Sequence, residues 1–189
     1  MLKYAFLIKE KVADPDDRIL TCETGESLAA VCAAGDGVQA AGHVRRLRDQ
    51  GFYHIDICGG FSDGELEIMR AAAERKADIR RAAYDLNGLV RLDRIGRLTN
   101  YGVIIRVGGL ERPWEGVIRG RSRNIRVIAV SDMAQAKRAA RKLMNKRTEL
   151  IELSRWFDNL RMDAVAEAVG SNVPVGTCGP LYVYGSRLR

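Results

Sequence analysis

Apolar residues along this chain follow two rhythms. Short unbroken runs mark strands buried on both faces, and runs that repeat every three to four residues mark helices with one buried side. Tyr4–Ile8 is the first strand-like run. Asp14-Pro15-Asp16-Asp17 then reads as a turn in a polar loop, and a second strand follows near Leu28–Ala33. From Gly37 to Gln50 the rhythm is helical, with Val38, Ala41, Val44 and Leu47 on one side, Asp36 as N-cap and Gly51 as the stop. His54–Cys58 returns to strand. Ser62 and Glu65 stand at capping-box spacing before a helix carrying Leu66, Met69, Ala72 and Ala73, and a last strand lies near Ile79–Tyr84.

The same order then repeats. Tyr4-Ala5-Phe6-Leu7-Ile8-Lys9 matches Tyr101-Gly102-Val103-Ile104-Ile105-Arg106, and Asp36-Gly37-Val38-Gln39-Ala40 matches Asp132-Met133-Ala134-Gln135-Ala136. Arg45-Arg46-Leu47 matches Arg141-Lys142-Leu143, Ile55-Asp56-Ile57-Cys58 matches Ile151-Glu152-Leu153-Ser154, and Phe61 matches Phe157. These matches keep their order and an almost constant separation, which is the mark of an internal duplication. The second half therefore has strands near Tyr101–Arg106, Ile125–Val130, Leu150–Ser154 and Val173–Thr177, and helices near Met133–Lys146 and Asn159–Val169. Leu181–Tyr184 adds a short final strand to this reading.

Strands alternating with helices through short connections predict parallel neighbours and right-handed crossovers. The expected fold is α/β: two tandem β-β-α-β-α-β repeats with a largely parallel sheet, related by an internal pseudo-two-fold axis. A fused pseudo-dimer of ferredoxin-like α+β units is the alternative. Residues 1–85 form repeat 1, residues 86–99 a linker, and residues 100–189 repeat 2. Arg91, Arg94 and Arg97 make the joint basic, and Gly88 and Gly96 break it.

Composition narrows the class. Hydrophobic residues at 47% and charged residues at 29% exclude a disordered or fibrous chain. Aromatics at 6% argue against an aromatic stacking surface. The net charge of +7 favours anionic partners. No run approaches the ~20 apolar residues of a membrane span, and the opening apolar run stops at Lys9 with no signal-peptide cleavage pattern. The expectation is a cytoplasmic protein, monomer or homodimer, without membrane association. Cys22, Cys32, Cys58 and Cys178 are then free thiols. With no C-x-x-C pair and only His43 and His54, neither a metal nor another cofactor is expected.

Ile55-Asp56-Ile57-Cys58-Gly59-Gly60-Phe61 resembles the I-E-L-C-G-G-F segment of the small bacterial proteins known as domain of unknown function 6506. The opening Tyr4-Ala5-Phe6-Leu7-Ile8 is similar to that family's start. Val173-Pro174-Val175-Gly176 is similar to its V-P-V-G strand. Each half is about one family member long. The resemblance implies a fold unit and a suspect loop, and no activity. The first half keeps Cys58-Gly59-Gly60 but has Ala77-Asp78-Ile79-Arg80 where V-P-V-G would fall. The second keeps V-P-V-G but has Ser154-Arg155-Trp156 in place of Cys-Gly-Gly. Fused copies can each lose what the other supplies, so one composite site or two unequal sites are expected.

Ligands of open parallel sheets bind beyond the carboxyl ends of the strands. Lys9 and Arg106 end the matching first strands and suggest an anion-facing rim, with snorkelling as the plain alternative. Cys58 precedes Gly59, Gly60 and a helix start, where backbone N–H groups hold anions or lower a thiol pKa; a buried inert cysteine is its other reading. Gly176-Thr177-Cys178-Gly179 offers close backbone approach, or simply a tight turn. Strand alternation puts His54, Asp56 and Cys58 on one face, although alternate residues need not touch. A carboxylate at Asp56 and its counterpart Glu152 is either a general base with a raised pKa or half of an ion pair with Arg106 or Lys9. His43 is expected at the surface. Trp114 and Trp156 are candidates for pocket walls or core. The loop Arg119-Gly120-Arg121-Ser122-Arg123-Asn124 grips phosphate or is solvated.

These residues favour a small cofactor-independent acid–base enzyme, an isomerase, cyclase or lyase, acting on an anionic small molecule. Asp56, Glu152 and Cys58 are its candidate catalytic groups. Lys9, Arg106, Gly59, Gly60, Gly176, Thr177 and Cys178 are its candidate binding groups. A nucleic-acid-binding module using the arginine-rich loop and joint, and a metabolite-binding protein without turnover, are the alternatives.

Overall fold

The computed structural model describes residues 1–12, 19–170 and 173–181. In the first half β1 (Leu2–Lys9), β2 (Ile19–Glu23), β3 (Ser27–Ala34), β4 (His54–Ile57) and β5 (Asp78–Arg81) form a sheet in the order β2-β3-β1-β4-β5. Helices α1 (Gly37–Asp49), α2 (Asp63–Ala73) and α3 (Leu86–Asp93) accompany it. In the second half β6 (Asn100–Arg106), β7 (Trp114–Arg119), β8 (Asn124–Val130), β9 (Leu150–Leu153) and β10 (Val175–Thr177) repeat it in the order β10-β9-β6-β8-β7. Its helices are α4 (Met133–Asn145) and α5 (Asn159–Val169). All neighbouring strands are parallel except the edge hairpins β2–β3 and β7–β8. The parallel ladders establish two tandem α/β units and leave no place for antiparallel ferredoxin-like ones.

The caps act as the sequence predicts. Asp36 and its counterpart Asp132 accept the backbone N–H of Gln39 and Gln135, and Ser62 and Glu65 close a capping box on α2. Four details differ from the sequence reading. The hairpin strands β2 and β7 stand where only loops were expected. Leu86–Asp93 of the joint is helical, capped by Asp85, with Gly88 inside it. Val38 is exposed and Ala40 takes its place in the α1 face, because a side chain at Gly37 would run into Glu65 of α2 and the two helices meet there. His43 is buried on that face, its Nδ1 3.2 Å from Arg46. The turn at Asp14–Asp17 and nearly all of the final strand at 181–184 fall outside the described residues; Leu181 itself is not in a strand.

The two faces of each sheet have different neighbours. In the second half Ile104, Ile128, Ile151 and Leu153 pack with Ala136, Ala140, Leu143 and Val165 of the helices. The alternate positions Tyr101, Val103, Ile105, Ile125 and Val127 join the core of the first half. The sheets therefore face each other, with helices outside. Contacts between the halves come in reciprocal pairs, as an isologous two-fold requires. At the facing edges Ala83 and Thr177, which are not equivalent positions, exchange both backbone hydrogen bonds at 2.9 Å and depart locally from that symmetry. At the opposite edges Arg121 donates to the Lys11 carbonyl and Thr24 to that of Gly108. Among the described residues no helix is long and apolar enough to cross a membrane.

Candidate functional site

Asp56 on β4 and Glu152 on β9 occupy equivalent positions on the inner faces, and both are fully buried. Each is met by the equivalent tyrosine of its own half: Tyr4 donates to Asp56 at 2.8 Å, and Tyr101 donates to Glu152. Each also accepts one backbone N–H from the loop of the opposite half, Arg155 for Asp56 at 2.7 Å and Gly59 for Glu152 at 2.8 Å. To this point the two carboxyls are alike.

Their other neighbours set them apart. Asp56 receives the Arg155 side chain, whose Nε donates to Oδ1 at 2.8 Å and whose other nitrogens reach His54 Nδ1, Asp78 and the Ile55 carbonyl. Burial pushes the Asp56 carboxyl up, and the guanidinium, the Arg155 N–H and the Tyr4 hydroxyl pull it back. Burial opposes the charge on Arg155 as well, but Asp56 and Asp78 hold it above its ordinary value. This is a closed buried ion pair, and its partner is Arg155 rather than Lys9 or Arg106. His54 shares the face with Asp56 and Cys58 as alternation requires, but it binds Arg155 instead of Asp56.

Glu152 has no such partner among the described residues. Glycine stands where Arg155 would reach, and in place of a guanidinium the Tyr84 hydroxyl donates to Glu152. Burial raises the Glu152 pKa above 4.5; the hydroxyls of Tyr101 and Tyr84, the Gly59 N–H and the more distant Arg123 only partly offset it. Burial, followed by the nearby carboxyl, holds both phenols well above their ordinary pKa, so they remain donors.

Beside Glu152 lies a cavity of about 200 Å³ walled by both halves. Cys58, Gly59 and Tyr84 line one side, Tyr101 and Glu152 the other, and Lys9 and Arg123 complete it. Gly59, Tyr84 and Leu92 also line an open cleft of about 750 Å³ that runs past Arg80, Cys178 and Gly179. The inner cavity and the outer cleft thus share a wall, of which Tyr84 is part.

The remaining candidates are distributed as follows. Lys9 directs its ammonium to Glu65 at 2.7 Å, and its backbone N–H donates to Cys58 Sγ at 3.2 Å. Burial and the Glu152 charge push the Cys58 thiol up to about 12, opposite to the lowering considered for a helix start, which favours the neutral thiol over the thiolate. Cys178 is likewise pushed well up by burial and the two carboxyls; its Sγ lies 3.6 Å from the Ile57 carbonyl. Gly60 borders the cavity. Gly176 leaves room for the Tyr84 ring, and buried Thr177 donates to the Phe157 carbonyl. Arg106 lies on the Arg155 side, 5.8 Å from the Trp156 ring, and does not line the cavity. Trp156 packs edge-on against Phe157 and Trp114 against the core, and neither walls the cavity.

Sequence reasoning passed over Tyr84, Tyr101 and Arg155 as site residues. The Tyr4/Tyr101 match carried the signal for Tyr101; nothing local marked Tyr84. Arg123 figured only as part of a basic loop. That loop is tied to repeat 1: buried Glu10 accepts Arg123 Nε at 2.7 Å and the Ser122 hydroxyl. The Nη groups of Arg123 make no hydrogen bond among the described residues. No cluster of three or more His, Cys, Asp or Glu side chains fit to hold a metal ion occurs among those residues.

Comparison with known proteins gives one informative match. The family described as a family of unknown function (DUF6506) matches residues 2–94 and again residues 100–180. No curated protein matches. A solved structure, an ABC transporter system solute-binding protein from Conexibacter woesei DSM 14684, aligns over 93% of this chain and 69% of its own length with 13% identity and a TM-score of 0.30.

Proposed function

This chain belongs to the DUF6506 family, with the family unit present twice, and on that premise we propose a cofactor-independent acid–base enzyme with a single working pocket. It is of the isomerase, cyclase or lyase type and acts on a small anionic molecule. One observation carries this reading: Glu152 is a buried carboxyl of raised pKa, has no paired cation among the described residues, and borders a cavity. A carboxyl poised nearer neutrality can both accept and return a proton. Tyr84 and Tyr101 give their single hydroxyl protons to the two oxygens of Glu152 and so hold the carboxyl in place. Arg123, whose Nη donors bind no described residue, anchors the substrate's carboxylate or phosphate. Asp56, Cys58 and Arg106 have no part in the chemistry. A cavity of about 200 Å³ is smaller than typical ligand pockets, which favours a substrate of few heavy atoms.

Proton exchange tests this reading across a whole class of compounds at once. The protein is incubated in heavy water with a panel of small hydroxy-, oxo- and unsaturated carboxylic acids, and C–H exchange is followed by proton NMR. Wild type is expected to exchange at least one compound, Glu152→Gln to exchange none, and Arg123→Gln to need more substrate for the same rate. Exchange that survives Glu152→Gln disproves the assignment. The nucleic-acid reading receives less support, because its loop is anchored to Glu10 inside the molecule.

A further inference from the structure

The outer face of the second sheet is covered unevenly. Helix α4 packs on β6 and β8, and α5 on β10, while the edge strand β7 extends beyond them. Val117 pairs with Arg126 and Glu115 with Ile128, so Glu115, Val117, Arg119, Arg126 and Ile128 turn to this one face. With the end of α4 they enclose a cavity of about 300 Å³.

Its charge is one-sided. Arg119, Arg126, Lys142 and Lys146 line it, against the single carboxylate of Glu115, which Lys142 already engages. The carbonyl end of α4 faces the same way and is itself capped at Lys146. Arg126 Nε is buried with no hydrogen-bond partner among the described residues. A buried N–H without an acceptor is costly, and cations gathered without a counter-charge repel. An anion filling the space relieves the repulsion and gives the Arg126 side chain an acceptor to turn towards.

The first half provides an internal control. Its pair Thr21–Ala30 stands where Val117–Arg126 stands here. By the same register Arg126 corresponds to Ala30, Arg119 to Glu23 and Lys146 to Gln50. Of the four cations only Lys142 has a basic counterpart, Arg46, and that side chain contacts His43. The fold alone does not produce this cluster.

We propose that this cavity binds the phosphate group of a small phosphate monoester, at a site separate from Glu152. The Arg126 guanidinium, which lines the cavity, meets the phosphate from the floor, and Arg119, Lys142 and Lys146 close on its oxygens from the rim.

Calorimetric titration with inorganic phosphate and with glycerol phosphate at low salt tests it. Wild type is expected to bind both saturably, the ester more tightly, and Glu152→Gln to bind them equally well. Arg126→Met should weaken binding by about tenfold or more, the loss of a charge-assisted hydrogen bond. The exposed pair Lys142→Met/Lys146→Met, which leaves the core intact, should weaken it as well. Absence of saturable binding in wild type, or unchanged binding in a folded Arg126→Met or in the lysine pair, overturns the proposal. So does Arg126-dependent uptake of a single-stranded oligonucleotide without phosphate binding, which would assign the face to nucleic acid.

Discussion

Gly59 and Arg155 stand at equivalent points of the two repeats, and each donates its backbone N–H to the buried carboxyl of the other repeat. Only Arg155 brings a side chain. That difference makes one carboxyl a sealed ion pair and leaves the other beside open space. A methyl group at residue 59 would already lie 3.1 Å from Glu152 Oε1 and 3.2 Å from the Tyr84 ring, so glycine is what keeps this arrangement together.

Removing Arg155 should be severe. Arg155→Ala leaves Asp56 buried without its cation, and breaking such a pair costs about 3–5 kcal/mol. Urea denaturation will read this as a lower midpoint. Adding Asp56→Asn should recover part of the loss, because a neutral amide does not need the guanidinium. A single variant as stable as wild type would contradict the closed ion pair.

Glu152 should leave a signature in stability against pH. Its folded pKa lies above the ordinary 4.5, so across that interval the native state holds a proton that the unfolded chain has released. Stability from this group is therefore lost as pH rises from about 4.5 through the folded value. Glu152→Gln lacks this loss. Its stability relative to wild type should improve between about pH 4 and about pH 8, measured by denaturation at both. A difference that stays flat or moves the other way would show that the carboxyl is not raised.

Two glycine substitutions should act in opposite directions. A Cβ at Gly179 would fall on the Phe157 backbone carbonyl, which also accepts the Thr177 hydroxyl and cannot easily retreat. Gly179→Ala should cost about 2 kcal/mol or more. Gly42, inside α1, has nothing within 4 Å of its would-be Cβ, and Gly42→Ala should stabilise by about 0.5–1 kcal/mol. Thermal melts of both variants check the pair.

The thiols should be inert while the protein is folded. Cys22, Cys32, Cys58 and Cys178 are all buried, and burial pushes Cys32 and Cys58 up to about 12. A disulfide reagent such as Ellman's should find all four in denaturant and react far more slowly in native buffer. Rapid native labelling of Cys58 would restore it as a candidate nucleophile.

Much of the fold was legible because its rhythm is local. The runs at Tyr4–Ile8 and Ile55–Cys58 and the caps at Asp36 and Ser62 each state their structure within a few residues, and duplication stated everything twice. Strands β2 and β7 were hidden because edge strands alternate apolar with polar residues and read as loops. Val38 turned out exposed and His43 buried because the α1 face is set by where α2 approaches, which no single helix records. The site followed the same division. Glu152 and Gly59 could be singled out from position and residue type. Choosing Glu152 over Asp56 required knowing that Arg155 crosses between the repeats, and such a contact has no signature in one sequence.

The cavity draws its walls from two folding units, yet no dilution can separate them. A pocket assembled from independent subunits empties when its protomers fall below their association constant. Here the short segment between α3 and β6 holds each repeat permanently at the other's side, so the second unit is always present at high effective concentration. Occupancy of the Glu152 cavity should therefore follow ligand concentration alone, and stay the same however scarce the protein becomes.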